Sequence, residues 1–247
     1  MVKIAVNGAL GRMGSSILRL AYAAKKEFKV VGAFDQSKAL APDDLKDCQV
    51  LIDFSSPEGV RRSLKAALKA RTALVIGTTG MPADLERALR GASKNIPVLF
   101  APNMSLGANF LFELASLAAK RLSDVYDIEI VEAHHRLKKD APSGTAKKLA
   151  ETIAQAKGWN TKDCLKYGRQ GFTGERSSKE IGIHVVRAGE IVGEHSAIFS
   201  GPGETLEITH KAQSRDAFAQ GALKAALYLS KKKKGLYSMA DVLEDKL

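Results

Sequence analysis

The first hundred residues alternate between two hydrophobic periods. Residues 2–7 (VKIAVN) are a short β-branched run that leads straight into the glycine-punctuated segment GALGRMG. From Ser15 to Lys25, Ile17, Leu18, Leu20, Ala21 and Ala24 then recur at helical spacing. The pattern predicts strand, glycine turn, helix. It continues with strands over 29–34 and 50–54, a helix over 58–70, a strand over 73–76 running into GTTG, a helix over 82–90, and a strand over 97–100 running into APN. Strands that are nearly continuous apolar runs, alternating with helices, predict a parallel sheet covered on both faces.

Beyond Asn103 the pattern changes. A long helix is expected over about 106–122, a strand over 127–133, a basic loop, and a helix over about 145–157 with Gly158 placed as its C-cap. Between 180 and 209 the segments IGIHVVRA, EHSAIFS and TLEITH alternate with period two between Gly and Pro turns, which predicts a mixed or antiparallel sheet. Helical periodicity returns over 217–229. The expected fold is therefore α/β: a Rossmann-type parallel-sheet domain formed by 1–105 and 214–247, and a second α+β domain over 106–213 with a mixed or antiparallel sheet.

Composition narrows the picture only modestly. With 247 residues, 45% hydrophobic and 26% charged, the chain has globular values. Cys48 and Cys164 are too few and too isolated for a disulfide framework or a structural zinc site, so a reducing compartment and no metal are expected. The N-terminus enters the β pattern at once, without the layout of a secretory signal, and the longest apolar stretch, over 106–119, is interrupted by Glu113. A cytoplasmic protein follows, with no membrane partner. The net charge of +11 raises nucleic acid as a partner, but aromatic residues are only 6%, no stacking or recognition-helix motif is present, and lysine runs such as 231–234 are usually solvated faces, so none is expected.

Three features carry chemistry. Gly8, Gly11 and Gly14, between a strand and a helix, suit a turn whose backbone approaches a pyrophosphate at the helix N-terminus. Asp35 closes the second strand at the distance where an acid binds ribose hydroxyls, and Lys38 stands close by for a 2′-phosphate. GTTG and APN both fall where parallel strands end, the rim on which open α/β sheets bind ligands, although each alone reads equally as an ordinary turn. The third feature is EAHHRLKKDAPSGT. His134, His135 and Lys138 are titratable donors within five residues, and Pro142-Ser143-Gly144-Thr145 opens a helix whose first N–H groups, with the Thr145 hydroxyl, form an anion cradle. An adjacent histidine pair can equally be structural.

GALGRMG, DFS at 53–55, GTTG, APNMSLGAN, EAHHRLKKDAPSGTA, VRAGEIVGEHSAIF and TLEITHKAQSR occur in an order that resembles the 4-hydroxy-tetrahydrodipicolinate (dihydrodipicolinate) reductase family of diaminopimelate and lysine biosynthesis. The resemblance spans essentially the whole chain. It implies NAD(P)H-dependent reduction of a cyclic imine dicarboxylate, with NADH and/or NADPH as cofactor. His134 would be the proton donor or acceptor and Lys138 a second donor. His135, Ser143, Gly144 and Thr145 would contact the substrate and its carboxylates. Cofactor contacts would come from Gly8, Ala9, Leu10, Gly11, Arg12 and Met13, from Asp35, from Gly77, Thr78 and Thr79, and from Ala101, Pro102, Asn103 and Met104. A homotetramer built through the second-domain sheet is implied as well. The chain departs from the family in carrying Gln36 where NADPH users often have arginine, and in a short connection between Asp35 and Asp53. An alternative reading is a related two-domain dehydrogenase acting on another amino acid or a sugar.

The charge is unevenly spread. Residues 1–105 hold 16 basic and 9 acidic side chains, residues 106–213 hold 15 and 14, and residues 214–247 hold 7 and 4. Within the nearly neutral middle segment, 134–148 has five Lys or Arg against one Asp, a basic patch suited to a small dianion.

Overall fold

The computed structural model describes residues 1–38 and 40–245. Residue 39, in the short connection after the second strand, and residues 246–247, which end the first expected domain, lie outside them. The chain divides into two compact units, Met1–Leu106 with Arg215–Leu247, and Gly107–Ser214.

In chain order the elements are β1 (Val2–Asn7), α1 (Arg12–Ala23), β2 (Phe28–Phe34), β3 (Val50–Asp53), α2 (Pro57–Ala70), β4 (Ala73–Ile76), α3 (Ala83–Ala92) and β5 (Pro97–Phe100). These are followed by α4 (Leu106–Arg121), β6 (Asp127–His134), α5 (Gly144–Lys157), α6 (Thr161–Cys164), β7 (Leu165–Tyr167), β8 (Ile181–Arg187), β9 (Gly193–Gly201) and β10 (Glu204–Ala212). The tail supplies α7 (Asp216–Leu229), β11 (Gly235–Tyr237) and α8 (Met239–Glu244).

In the first unit six parallel strands run in the order β2-β1-β3-β4-β5-β11. Alternate side chains of each strand face opposite sides. Ile4, Val6, Val50, Ile52 and Val75 join the core made with α1, α7 and α8. Ala5, Leu51, Leu74, Ile76 and Val98 join the core made with α2 and α3. The chain leaves β1 in one direction to form β2 and returns to its other side to form β3, so the order reverses between β1 and β3. The crevice beyond the carboxyl ends of those two strands is where such sheets take ligands.

The helices start and stop where local chemistry dictates. Ser56 caps α2 by accepting from the Gly59 N–H at 3.1 Å, Pro57 fills its first position, and Arg71 ends it in the left-handed region at φ 54°. The first helix begins at Arg12, three residues ahead of the start expected from periodicity, because the glycine turn itself supplies its first turn. The tail strand β11 was not foreseen: a three-residue Gly-Leu-Tyr segment after four lysines carries no β period, and it forms by pairing with β5.

In the second unit the sheet order is β10-β9-β6-β8-β7. Strand β6 is parallel to β8 and antiparallel to β9, so the sheet is mixed, as the period-two segments led one to expect. One face packs Ile128, Ile130, Ile181, Ile183, Ala197 and Phe199 against apolar residues of α4 and α5. The opposite face carries an ion network in which Glu129 accepts from Arg169, Arg176 and His184. Helix α5 is capped by Ser143 and ends at Gly158, which adopts φ 70°. Among the described residues no helix is long and apolar enough to cross a membrane.

Candidate active site

In the first unit, the candidate cofactor site is the crevice at the reversal of strand order. A cleft of about 390 Å³ is lined there by Asn7, Gly8, Leu10, Gly11, Asp35, Gln36, Ser37, Phe54, Ser55, Ser56 and Arg62. The loop between β1 and α1 is tight enough to require glycine. Gly8 sits at φ 85°, and a Cβ there would lie 2.2 Å from the Phe54 carbonyl oxygen. A Cβ on Gly14 would lie 2.1 Å from the Gly8 carbonyl oxygen, so α1 approaches the loop more closely than any other residue permits. With Gly11 as the N-terminal flank of α1, the helix's first N–H groups and positive dipole end address this cleft, the arrangement suited to a pyrophosphate.

A buried carboxylate braces the rim. Asp53, fully buried at the end of β3, accepts from Asn7 Nδ2 at 2.9 Å, Ser63 Oγ at 2.5 Å, Ser55 Oγ at 2.7 Å and Thr78 Oγ1 at 2.7 Å. These bonds tie the ends of β1, β3 and β4 to α2. The Thr78 hydroxyl, expected among cofactor contacts, is thereby directed into the protein. Gly77 also serves packing: its missing Cβ makes room for the Phe54 ring, whose Cζ would lie 2.1 Å away.

Asp35 stands at the end of β2, with its Oδ1 accepting from Ser37 N at 2.7 Å, Ser37 Oγ at 2.8 Å and Lys38 N at 3.3 Å. The Ser37 bonds hold its carboxyl below the usual range, so it is ionised. Lys38 extends over the Phe34 ring, 5.3 Å from its centroid, and is not among the side chains lining the cleft. The cation that lines it is Arg62 of α2, 27 residues past Asp35, which no sequence spacing marked. Ala101 and Met104 are buried, and Met104 belongs to the core beside α7. Thr79, Pro102 and Asn103 lie with Gly77 beyond the ends of β4 and β5, on the same rim but outside the cleft. Ala9 is buried, Arg12 is exposed, and Met13 packs against the core.

A separate group of candidate residues lies in the other unit, at the end of β6. His134, 8% exposed, places Nδ1 2.5 Å from Glu132 Oε2. Glu132, fully buried, also accepts from both terminal nitrogens of Arg187 at 2.9 Å and from the Ser143 backbone N–H at 2.9 Å. Burial alone would raise this carboxyl, but the bonds from His134, Arg187 and Ser143 outweigh it and bring it down to about 2. Lys138 pairs with Asp140 at 2.8 Å. Asp140 is pushed up by burial, yet the Lys138 partner holds it below the usual carboxylate range.

The His195 ring packs edge-on against His134, with centroids 5.1 Å apart, and its Nε2 lies 3.0 Å from Ser143 Oγ. Burial, then electrostatic repulsion by the His134 ring, lowers His195 to about 3; Glu132 pulls the other way, and His210 and Lys138 add smaller lowering contributions. His195 is therefore neutral. His134, Lys138, His195 and His210 thus share one electrostatic neighbourhood. The Ser143 hydroxyl also accepts from Ala146 N at 3.1 Å as the cap of α5, so it supports the helix start, while Gly144, open to space where a Cβ would stand, and Thr145 present the first N–H groups. His135 follows the strand end, half-buried. Glu132, Arg187 and His195 were not singled out in the sequence; the readable clue was Glu-x-His on one strand, which puts both side chains on one face. Among the described residues no cluster of three His, Cys, Asp or Glu is arranged to hold a metal.

Comparison with known proteins gives this arrangement a family. Residues 2–104 match the model "Dihydrodipicolinate reductase, N-terminus" and residues 107–243 match "Dihydrodipicolinate reductase, C-terminus". A 4-hydroxy-tetrahydrodipicolinate reductase of Hahella chejuensis is 46% identical over 98% of this chain and 99% of its own. That of Anaeromyxobacter sp. is 46% identical over 98% of both. In fold, the chain resembles a dipicolinate-bound dihydrodipicolinate reductase from Paenisporosarcina sp. TG-14, with a TM-score of 0.75, 24% identity and coverage of 96% and 97% of the two chains. With both halves matched and near-complete alignment to these relatives, the chain belongs to the 4-hydroxy-tetrahydrodipicolinate reductase family.

Proposed function

We propose that this chain reduces 4-hydroxy-tetrahydrodipicolinate to tetrahydrodipicolinate with NAD(P)H, with His134 and Lys138 as the proton-handling residues. Family membership over both units carries the reaction; the observation that carries the residue assignment is the His134 ring held by an ionised, buried Glu132 beside the start of α5. The dinucleotide fits the first unit: the glycine loop leaves no room for a Cβ at its closest approaches, and an ionised acid stands at the end of β2. Gly8, Leu10 and Gly11 would hold the pyrophosphate, and Asp35 the ribose hydroxyls. Once the 4-hydroxyl has left as water, the ring carries a C=C bond conjugated to its C=N; when bound, the cofactor would supply a hydride to C4, and a proton at the neighbouring carbon completes the reduction.

The chain's own residues supply placement and charge. The N–H groups of Gly144 and Thr145, with the basic residues of 134–148, are assigned to the two substrate carboxylates, and His135 to a further contact. His134 exchanges a proton through the ring nitrogen that does not face Glu132. Lys138 leaves Asp140 to donate as negative charge develops. A positioned acid of this kind contributes ~10²–10⁴-fold. Replacing His134 by Gln, or Lys138 by Ala, should therefore lower kcat by about that range while NADH affinity stays near wild type. Unchanged kcat in both variants would remove the assignment.

The cofactor is NADH and/or NADPH, and no metal takes part. The protein works in the cytoplasm, consistent with two buried free cysteines, and assembles as a homotetramer through the face and open β10 edge of the second-unit sheet. Much of β10 is exposed in the single chain, Leu206 at 43% among it. Neither nucleic acid nor a membrane is a partner.

A further inference from the structure

We infer that Glu132 is a positioning residue that fixes which nitrogen of His134 carries its proton, and that Arg187 locks Glu132 in place to do so. The inference deepens the reading of His134 as the proton-handling residue and rests on it.

Glu132 and His134 are two apart on β6 and so share a face, and Arg187 is the register partner of His134 on β8. The guanidinium is held in turn by backbone carbonyls, donating to Asp140 O and Val186 O at 2.7 Å each, and cannot swing away without breaking them. An ionised carboxylate only accepts hydrogen bonds. Every partner of Glu132 must therefore donate: Ser143 N–H and one Arg187 nitrogen to Oε1, the other Arg187 nitrogen and His134 Nδ1 to Oε2. Three of those partners are donors by constitution. His134 alone has a choice, and it must place a proton on Nδ1. In the neutral ring Nε2 is then the bare nitrogen, and in the cation it is Nε2 that gives up its proton.

Two further features leave that nitrogen available. A Cβ on Gly193 of β9 would come within 3.1 Å of Nε2, so glycine at this position keeps the space beside it open. His195, stacked edge-on against the ring, is neutral and places no full positive charge beside a protonated His134.

The same count predicts what a near-isosteric change does. In Glu132→Gln one of the two terminal atoms becomes a donor. Turned toward Ser143, that donor would face a backbone N–H that cannot become an acceptor. Either orientation also meets one Arg187 nitrogen, so that clash does not decide between them; turned toward His134, the new donor faces the one partner able to change its proton, and the ring moves its proton to Nε2. A constellation of this type loses orders of magnitude when its carboxylate becomes an amide, about 10⁴-fold in the serine-protease triad through the wrong tautomer.

The test is long-range proton–nitrogen NMR of the intact protein labelled with ¹⁵N-histidine, His134 being assigned through His134→Asn and the spectra taken where its ring is neutral. Wild type should show the Nδ1–H form. Glu132→Gln should show the Nε2–H form, with kcat reduced by about 10² or more and the KM for NADH little changed. Should Glu132→Gln fold poorly with Arg187 left uncompensated, Glu132→Gln with Arg187→Met removes the buried charge and should show the same inverted tautomer. A wild-type His134 carrying its proton on Nε2, or a tautomer unaltered in these variants, overturns the inference. An Nδ1–H wild-type ring together with full turnover in His134→Gln would instead support the positioning while refuting the role of His134 in turnover.

Discussion

At the scale of single residues, the cofactor cleft separates what charge suggests from what geometry allows. Lys38 follows Asp35 by three positions, yet it lies over the Phe34 ring, whereas Arg62 lines the cleft beside Gln36 and Ser37. A guanidinium matches a phosphate with paired donors, so Arg62 is the side chain placed to meet a 2′-phosphate if one enters. Arg62→Ala should lower kcat/KM for NADPH about 5- to 30-fold, the loss of a contact on the order of 1–2 kcal/mol, while leaving that for NADH nearly unchanged. Lys38→Ala should change the ratio much less. Parallel steady-state measurements with the two cofactors check this; equal losses with both, or a larger effect at Lys38, would contradict it. Arg62 was invisible in the sequence because helix α2 brings it to the rim from a distance no motif spacing encodes, whereas Asp35 and the glycines announce themselves through their position at strand ends.

At the scale of elements, the mixed sheet of the second unit carries both ionised networks. Glu129 is pushed up by burial but brought down to about 2 by bonds from Arg169, His184 and Arg176, and Glu132 likewise falls to about 2. A carboxylate depressed in the folded state contributes stability that is fully present above its unfolded pKa near 4.3 and is lost as pH falls toward its folded value. The second unit should thus weaken between about pH 5 and pH 2, by roughly 1–3 kcal/mol for each carboxylate. Trp159, the chain's single tryptophan, packs at the edge of this unit's core and reports on it alone. Acid titration followed by its fluorescence should show the transition, and Glu129→Gln should flatten it while lowering stability at neutral pH. A wild-type profile that is level down to pH 2 would refute the linkage. The strands themselves were readable from their period, since one face of each is core. What the period does not contain is which strands become neighbours. The network of Glu132, His134, Ser143, Arg187 and His195 forms only once β8 and β9 flank β6, joining residues more than fifty positions apart.

Across the whole molecule, the basic excess belongs mostly to the first unit and its tail, and the second unit is nearly neutral apart from the patch that begins at His134. Folding refines that patch: Lys138 is paired with Asp140, Arg187 is committed to Glu132, and the anion-facing groups that remain are backbone N–H donors at the start of α5 together with surface lysines. The parallel fold of the first unit, with its order reversing between β1 and β3, puts the glycine loop where a dinucleotide binds. The second unit carries His134, the proposed proton-handling group. The direct test of the proposed reaction is a coupled assay in which pyruvate and aspartate semialdehyde are converted by the preceding synthase and oxidation of NADH and NADPH is followed separately. Oxidation of at least one cofactor that depends on both the synthase and this protein is the predicted result; no oxidation of either would contradict the account.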